Sequence, residues 1–162
     1  MCRGLETAYW RERGYSGEIV TTDPKETAQG AISIVYDATS EQGHPALVVF
    51  IGGDQATAWG DKPPEERRQA VLDSLSEIME IQELKHPIDY REKDWAKEKY
   101  NGGCPTDVVN TGVMKYYNEL KAPLGRVEFA GTESSSVWSG YLSGAVNAGK
   151  RAANKVIEKL NK

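Results

Sequence analysis

The stretch from Phe129 to Ala153, FAGTESSSVWSGYLSGAVNAGKRAA, constrains this chain more than any other. An apolar strand end, Val127 and Phe129, runs into Gly131; a polar bend follows, and a long helix is predicted to open near Trp138. Gly131 lets backbone approach a ligand closely, Ser134, Ser135 and Ser136 offer N-cap hydroxyls, and a helix start presents unpaired N–H groups with a partial positive charge. The pattern predicts a strand-turn-helix that suits an anionic or electron-rich ligand. Gly140, Gly144 and Gly149, with Ala145 and Ala148 between, give the helix a small face. Each glycine costs roughly 1 kcal/mol relative to alanine, so close packing against a sheet or a bound ring is the expected compensation. Tight packing on protein alone accounts for such a face equally well.

Composition excludes several classes. The chain has 162 residues, enough for one domain, and 39% hydrophobic content is adequate for a core. A net charge of −4 argues against nucleic acid or an acidic membrane surface as partner. Cys2 and Cys104 do not make a disulfide framework, and a reducing compartment is the simplest context. Met1 to Trp10 contains no apolar signal segment, and the longest apolar run, Pro45 to Ile51, is far below the roughly 20 residues that span a bilayer. An intracellular setting is expected rather than secretion, with no C-terminal membrane anchor before Lys162. His44 and His86 stand beside prolines without partners at metal-ligand or triad spacing, so no metal site is expected.

Along the chain, Glu18 to Thr22, Ala31 to Tyr36 and Ala46 to Ile51 have the β-branched, turn-bounded character of strands and predict a small antiparallel sheet. Gln55 to Trp59 suits a short turn or helix. From Glu65 the spacing of Ala70, Val71, Leu75, Ile78 and Met79 predicts a helix with one buried face, and Pro64 suits its first turn. Its other face, Glu66, Arg67, Arg68, Asp73 and Glu77, is expected to be solvated. His86 to Tyr90 begins another strand.

Phe129-Ala-Gly-Thr-Glu133, Trp138-Ser-Gly-Tyr141, Gly144-Ala-Val146 and Gly149-Lys-Arg-Ala-Ala153 resemble the C-terminal signature of flavin-containing amine oxidases of the monoamine oxidase type. Trp95 and Tyr100-Asn-Gly-Gly-Cys104 resemble the same family's flavin-attachment segment. The resemblance covers nearly the whole chain and is strongest from about Lys85 onward. It implies an α/β (α+β) chain in two parts. Residues 1–93 would be part of a mixed or antiparallel-sheet substrate domain, and residues 94–162 the closing segment of a partial FAD/NAD(P)-binding fold. Residues 1 to 6 look unlike the strand expected there. The family's Gly-x-Gly-x-x-Gly strand-turn-helix occurs nowhere in the chain, since Gly52-Gly53 is followed by Asp54 and Gln55.

Residue by residue, the resemblance makes Cys104, after Gly103, the thiol linked to the 8α carbon of FAD. Tyr141 matches one of two aromatic walls flanking the amine, and an aromatic face suits a neutral amine or an arriving cation. The second wall would follow the attachment cysteine, where this chain has Pro105. Gly131, Thr132 and Glu133 match the segment along the FAD ribityl and pyrophosphate. Gly140, Tyr141 and Leu142 match the helix start under the flavin pyrimidine, where N–H groups favour negative charge on the reduced ring. Trp95 packs near the flavin in the family. The implied activity is oxidative deamination of a small amine to imine or aldehyde, ammonia and hydrogen peroxide. The alternative is a polypeptide inert by itself, an interaction module that self-associates or needs a chain supplying the dinucleotide-binding half.

Overall fold

In the computed structural model the described residues are the backbone of 2–3, then 5–22, 30–100, 103 and 111–161. The chain divides into two compact units, Met1–Asp94 and Trp95–Lys162.

The first unit is built on an antiparallel sheet. Strands β1 (Cys2–Arg3), β2 (Ile19–Val20), β3 (Ile34–Asp37), β4 (Ala46–Phe50) and β5 (Asp89–Tyr90) stand in the order β2-β3-β4-β1-β5. The two-residue β1 lies between β4 and β5, with Cys2 opposite both Leu47 and Tyr90. The expectation that residues 1 to 6 would be unlike a strand is therefore corrected. Two residues suffice there because each neighbour supplies the pairing that an isolated dipeptide lacks.

Register sorts the side chains. Val35 lies opposite Val49 and Ile19, and Asp37 opposite Leu47; Ile34 lies opposite Phe50 and Val20, and Tyr36 opposite Val48. Successive residues of a strand point to opposite faces, so Val35 and Leu47 share one face and are fully buried. They join a core with Trp10 of α1 (Tyr9–Glu12) and Val71, Leu75 and Met79 of α3 (Pro64–Met79). Between β4 and α3 lies α2 (Gly53–Gly60), which buries no residue.

Helix α3 starts where proline permits it, with Pro64 inside the first turn and Glu65 and Glu66 at its positive end. It stops at Glu80, whose φ of 55° is left-handed. The Ile81 N–H donates to the Ser76 carbonyl (3.1 Å) and the Glu80 N–H to Glu77 (3.4 Å), a Schellman closure. The outer face of α3 is not wholly solvated as expected. Arg67 turns inward, bonding the carbonyls of Gly60 and Lys62 and the carboxylate of Glu92. Those acceptors lie in the turn before the helix and the segment after β5, which sequence periodicity cannot bring together.

Trp10 is held by a polar anchor. Its indole N–H donates to Asp37 Oδ2 at 2.9 Å, and Arg11 Nε donates to the same oxygen at 2.7 Å. Burial alone would raise the Asp37 pKa. Contact with Thr39, whose amide donates at 2.8 Å, and the Trp10 and Arg11 bonds outweigh it and hold the group at about 2.

The second unit carries a 3₁₀ segment (Val113–Lys121), a 3₁₀ turn (Thr132–Ser134) and the helix α4 (Leu142–Leu160). Leu124 and Val127 form an isolated bridge, and the expected strand end at Val127 and Phe129 is not otherwise part of a strand among the described residues of this unit.

Candidate functional site

Helix α4 opens at Leu142, four residues later than the expected start near Trp138. Trp138 instead occupies a left-handed bend (φ 54°), followed by Gly140 at φ 87°. A residue with a Cβ rarely adopts the first conformation, and glycine takes the second at no steric cost. The predicted capping serines also serve differently. Ser134 and Ser135 are buried, with Ser134 Oγ donating to the Gly131 carbonyl (2.8 Å) and Ser135 Oγ to the Val137 carbonyl (2.6 Å). They close the turn on itself, and the residue at the N-cap position is Tyr141, which supplies no side-chain cap. The Leu142 and Ser143 N–H groups have no acceptor among the described residues.

Around that open helix start the structure gathers six of the predicted residues. Thr132 Oγ1 accepts the Gly140 N–H at 2.8 Å and donates to the Tyr141 carbonyl at 3.0 Å. The Tyr141 ring is 65% exposed and meets Trp138 edge to face, centroids 6.0 Å apart; Leu142 is 89% exposed. Gly131 begins the 3₁₀ turn, and the Glu133 carboxylate folds back over it, so that a Cβ on Gly131 would stand 2.3 Å from Glu133 Oε2. The room predicted at Gly131 for a ligand is thus occupied by an exposed, rotatable side chain. Trp95 is 46% exposed, and Gly103 has open space where a Cβ would stand. Cys104 and Pro105 lie outside the described residues.

The small face of α4 has its partner within the chain. A Cβ on Gly144 would stand 2.1 Å from the Trp138 carbonyl oxygen and 2.8 Å from Thr132 Oγ1, whereas Gly149 faces open space. Two cations on α4 hold the approach to the turn. Arg151 donates to the carbonyls of Ser134 and Phe129 and to Ser134 Oγ (2.9 Å). Lys159 Nζ reaches Glu128 at 2.7 Å, and that hydrogen bond, with the charges of Lys155 and Arg151, lowers the Glu128 pKa against the opposing effect of burial. Sequence reasoning gave Arg151 no role, although its spacing of seven from Gly144 placed it on the same helical face.

A second surface was also missed. The sheet face opposite the core carries Val20, Ile34, Tyr36, Val48 and Phe50, all apolar, with Val20, Tyr36 and Phe50 exposed. Tyr36 and Phe50 pack edge to face at 6.1 Å. A solvated face of an antiparallel sheet ordinarily alternates to polar residues. The signal was present in the continuous runs Ile34-Val-Tyr36 and Ala46-Leu-Val-Val-Phe50, which are apolar on both faces. A separate hollow, lined by Tyr9, Glu12, Arg13, Ile81 and Glu83, contains none of the predicted residues.

A family model described as flavin containing amine oxidoreductase matches residues 4–157. The chain belongs to that family. It is 36% identical over 157 residues to amine oxidase [flavin-containing] A of Sus scrofa, covering 96% of this chain and 29% of that protein. It is 38% identical over 154 residues to a probable flavin-containing monoamine oxidase A of Dictyostelium discoideum, covering 94% of this chain and 32% of that protein. Among solved structures it resembles cyclohexylamine oxidase from Brevibacterium oxydans, with a TM-score of 0.81 and 34% identity over 99% of this chain and 34% of the other. A putrescine oxidase variant redesigned for cofactor binding gives a TM-score of 0.79 and 28% identity, covering 95% of this chain and 33% of that one. The chain thus spans about a third or less of the length of these relatives. The fold is that of an α/β portion of an FAD-dependent amine oxidase, and the family's cofactor is a flavin. Among the described residues no helix is long and apolar enough to cross a membrane, and no group of three His, Cys, Asp or Glu could hold a metal ion.

Proposed function

We propose that these residues form part of the flavin and amine site of an FAD-dependent amine oxidase. On this reading 94–162 close the FAD-binding domain, and 1–93 contribute part of the substrate domain. The observation that carries the reading is the start of α4, uncapped and exposed, with the Tyr141 ring beside it. Free N–H groups and the positive end of a 19-residue helix suit the electron-rich edge of a flavin. The open space at Gly140 and Gly103 lets a planar ring lie against backbone. The residues present fit the group at these positions, and at Gly131 they fit once the exposed Glu133 side chain swings out.

When bound, FAD supplies the two-electron oxidation of the amine, oxygen then giving peroxide. The chain's own residues bind and orient the reactants. Tyr141 offers an aromatic face to the amine. The main chain of Gly131, Thr132 and Glu133 would run along the cofactor's ribityl and phosphates. The segment Gly140, Tyr141 and Leu142 would lie under its pyrimidine edge with the Leu142 N–H free to donate, the Gly140 and Tyr141 N–H groups being taken by Thr132 Oγ1 and the Trp138 carbonyl. Trp95 packs near the ring, and Cys104 is the covalent tether to FAD. The apolar sheet face of Val20, Ile34, Tyr36, Val48 and Phe50 belongs to the substrate-domain part of this reading. The cradle for adenosine and pyrophosphate is not among these residues. The activity therefore requires a dinucleotide-binding part, on the same polypeptide or on a second one, and these residues are inert without it.

The test mixes this protein with a chain bearing the glycine-rich half and FAD, then records the visible spectrum before and after acid precipitation. Flavin bands retained by the precipitate, lost in Cys104→Ser, and peroxide release on primary amines or polyamines are the expected results. A colourless protein that releases no peroxide from any amine in such a panel overturns the reading.

A further inference from the structure

The Thr132 hydroxyl is spent within the protein. A threonine hydroxyl has one proton to donate; this one goes to the Tyr141 carbonyl at 3.0 Å, while the oxygen accepts the Gly140 N–H at 2.8 Å. We propose that Thr132 is a positioning residue whose side chain fixes the bend from which the Tyr141 ring and the first turn of α4 depart. The inference rests on the proposed site and assigns the side chain a task other than holding a cofactor oxygen.

Three observations support it. Trp138 and Gly140 both have left-handed backbones, at φ 54° and 87°, so the segment leading to Tyr141 has no repeating hydrogen-bond ladder to define its path. Tyr141 and Leu142 are largely exposed, so the stance of the ring is set by the Thr132 bonds, the edge contact with Trp138, and the main-chain bonds of Tyr141 to the Trp138 carbonyl and from the Ala145 N–H, each 3.1 Å. Of these only the Thr132 bonds tie the bend to the 3₁₀ turn. Thr132 itself is anchored. It sits in the 3₁₀ turn whose Ser134 is gripped by Arg151 from α4, and its Oγ1 lies where a side chain on Gly144 would have to pass. The contacts close a circuit from Arg151 through Ser134 and Thr132 to Gly140, Tyr141 and back into the same helix. The ring's direction is thereby tied to the helix on which it stands.

The test compares Thr132→Val, which keeps the shape and removes both bonds, with Thr132→Ser, which keeps the hydroxyl. Exchange of the Gly140 amide with water, followed by NMR in this protein without flavin, should quicken about tenfold in Thr132→Val, the weight of one hydrogen bond. It should stay within about twofold of the parent in Thr132→Ser. With the dinucleotide-binding part and FAD supplied, Thr132→Val should retain FAD affinity while kcat falls, and Thr132→Ser should restore kcat. Unchanged Gly140 exchange in Thr132→Val overturns the proposal, as does a loss of FAD affinity without change in exchange, which would make the hydroxyl a cofactor ligand. Failure of every variant and the parent to take up flavin would count against the proposed function alone, because the exchange measurement needs no cofactor.

Discussion

Glycine 144 and glycine 149 look alike in the sequence, both on the small face of one helix, yet the structure gives them opposite meanings. At Gly144 a Cβ would meet the Trp138 backbone carbonyl at 2.1 Å, and a carbonyl fixed in a bend cannot swing aside like the end of a flexible side chain. Gly144→Ala is therefore expected to destabilise α4 by about 1–3 kcal/mol, the usual cost of overpacking. Gly149→Ala meets nothing within 4 Å and should stabilise the helix by about 0.5–1 kcal/mol through reduced chain entropy. Denaturant unfolding followed by helical circular dichroism separates the two, and equal effects of the same sign would refute the packing argument. Of the small face expected from Gly140, Gly144 and Gly149 with Ala145 and Ala148, only Gly144 and Ala148 are buried, with Ala152 a turn further on, while Gly140 lies in the bend before the helix. The partner of Gly144 was not legible, because that partner is the carbonyl of Trp138, set by a left-handed bend that hydrophobic periodicity does not encode.

At the scale of elements, the sequence signals worked where periodicity and proline act together and failed where a tertiary acceptor decides. Helix α3 could be read from Ala70, Val71, Leu75 and Met79, and β3 and β4 from their β-branched runs. The start of α4 was placed too early because Ser134 to Ser136 have the composition of a cap, while in the structure Ser134 and Ser135 bond the carbonyls of Gly131 and Val137. The end of α3 gave no sequence signal, since its Schellman closure places glutamate where glycine is usual. A left-handed backbone costs a residue with a Cβ roughly 1–2 kcal/mol. Glu80→Gly should accordingly raise the stability of the first unit by about 0.5–1 kcal/mol, part of the relief being returned as glycine's greater freedom when unfolded. The check is the urea midpoint followed by fluorescence of the buried Trp10; a lower midpoint would show that the Glu80 side chain contributes more than its backbone strain costs.

Over the whole molecule, family membership and sheet register together explain an otherwise costly pattern, a small sheet apolar on both faces. One face is filled by Trp10 and α3. The other keeps Val20, Tyr36 and Phe50 exposed among the described residues, and an apolar surface of this kind marks a binding or docking region. If, as part of the proposed substrate domain, it contacts apolar substrate, its side chains should matter to substrate more than to folding. Phe50→Ala is expected to change stability by no more than about 1 kcal/mol, because the ring is half exposed and rests mainly on the Tyr36 edge. Leu47→Ala, three residues earlier on the same strand and fully buried against the core, should cost about 2–5 kcal/mol. In the complete enzyme Phe50→Ala should raise KM for apolar amines by roughly tenfold or more, the weight of a lost aromatic contact, and leave that for the shortest amines nearly unchanged. Unfolding curves and steady-state kinetics on a graded series of alkylamines decide the matter. A Phe50→Ala protein as unstable as Leu47→Ala would make this face a second core, and an equal loss for short and long amines would remove it from contact with the substrate.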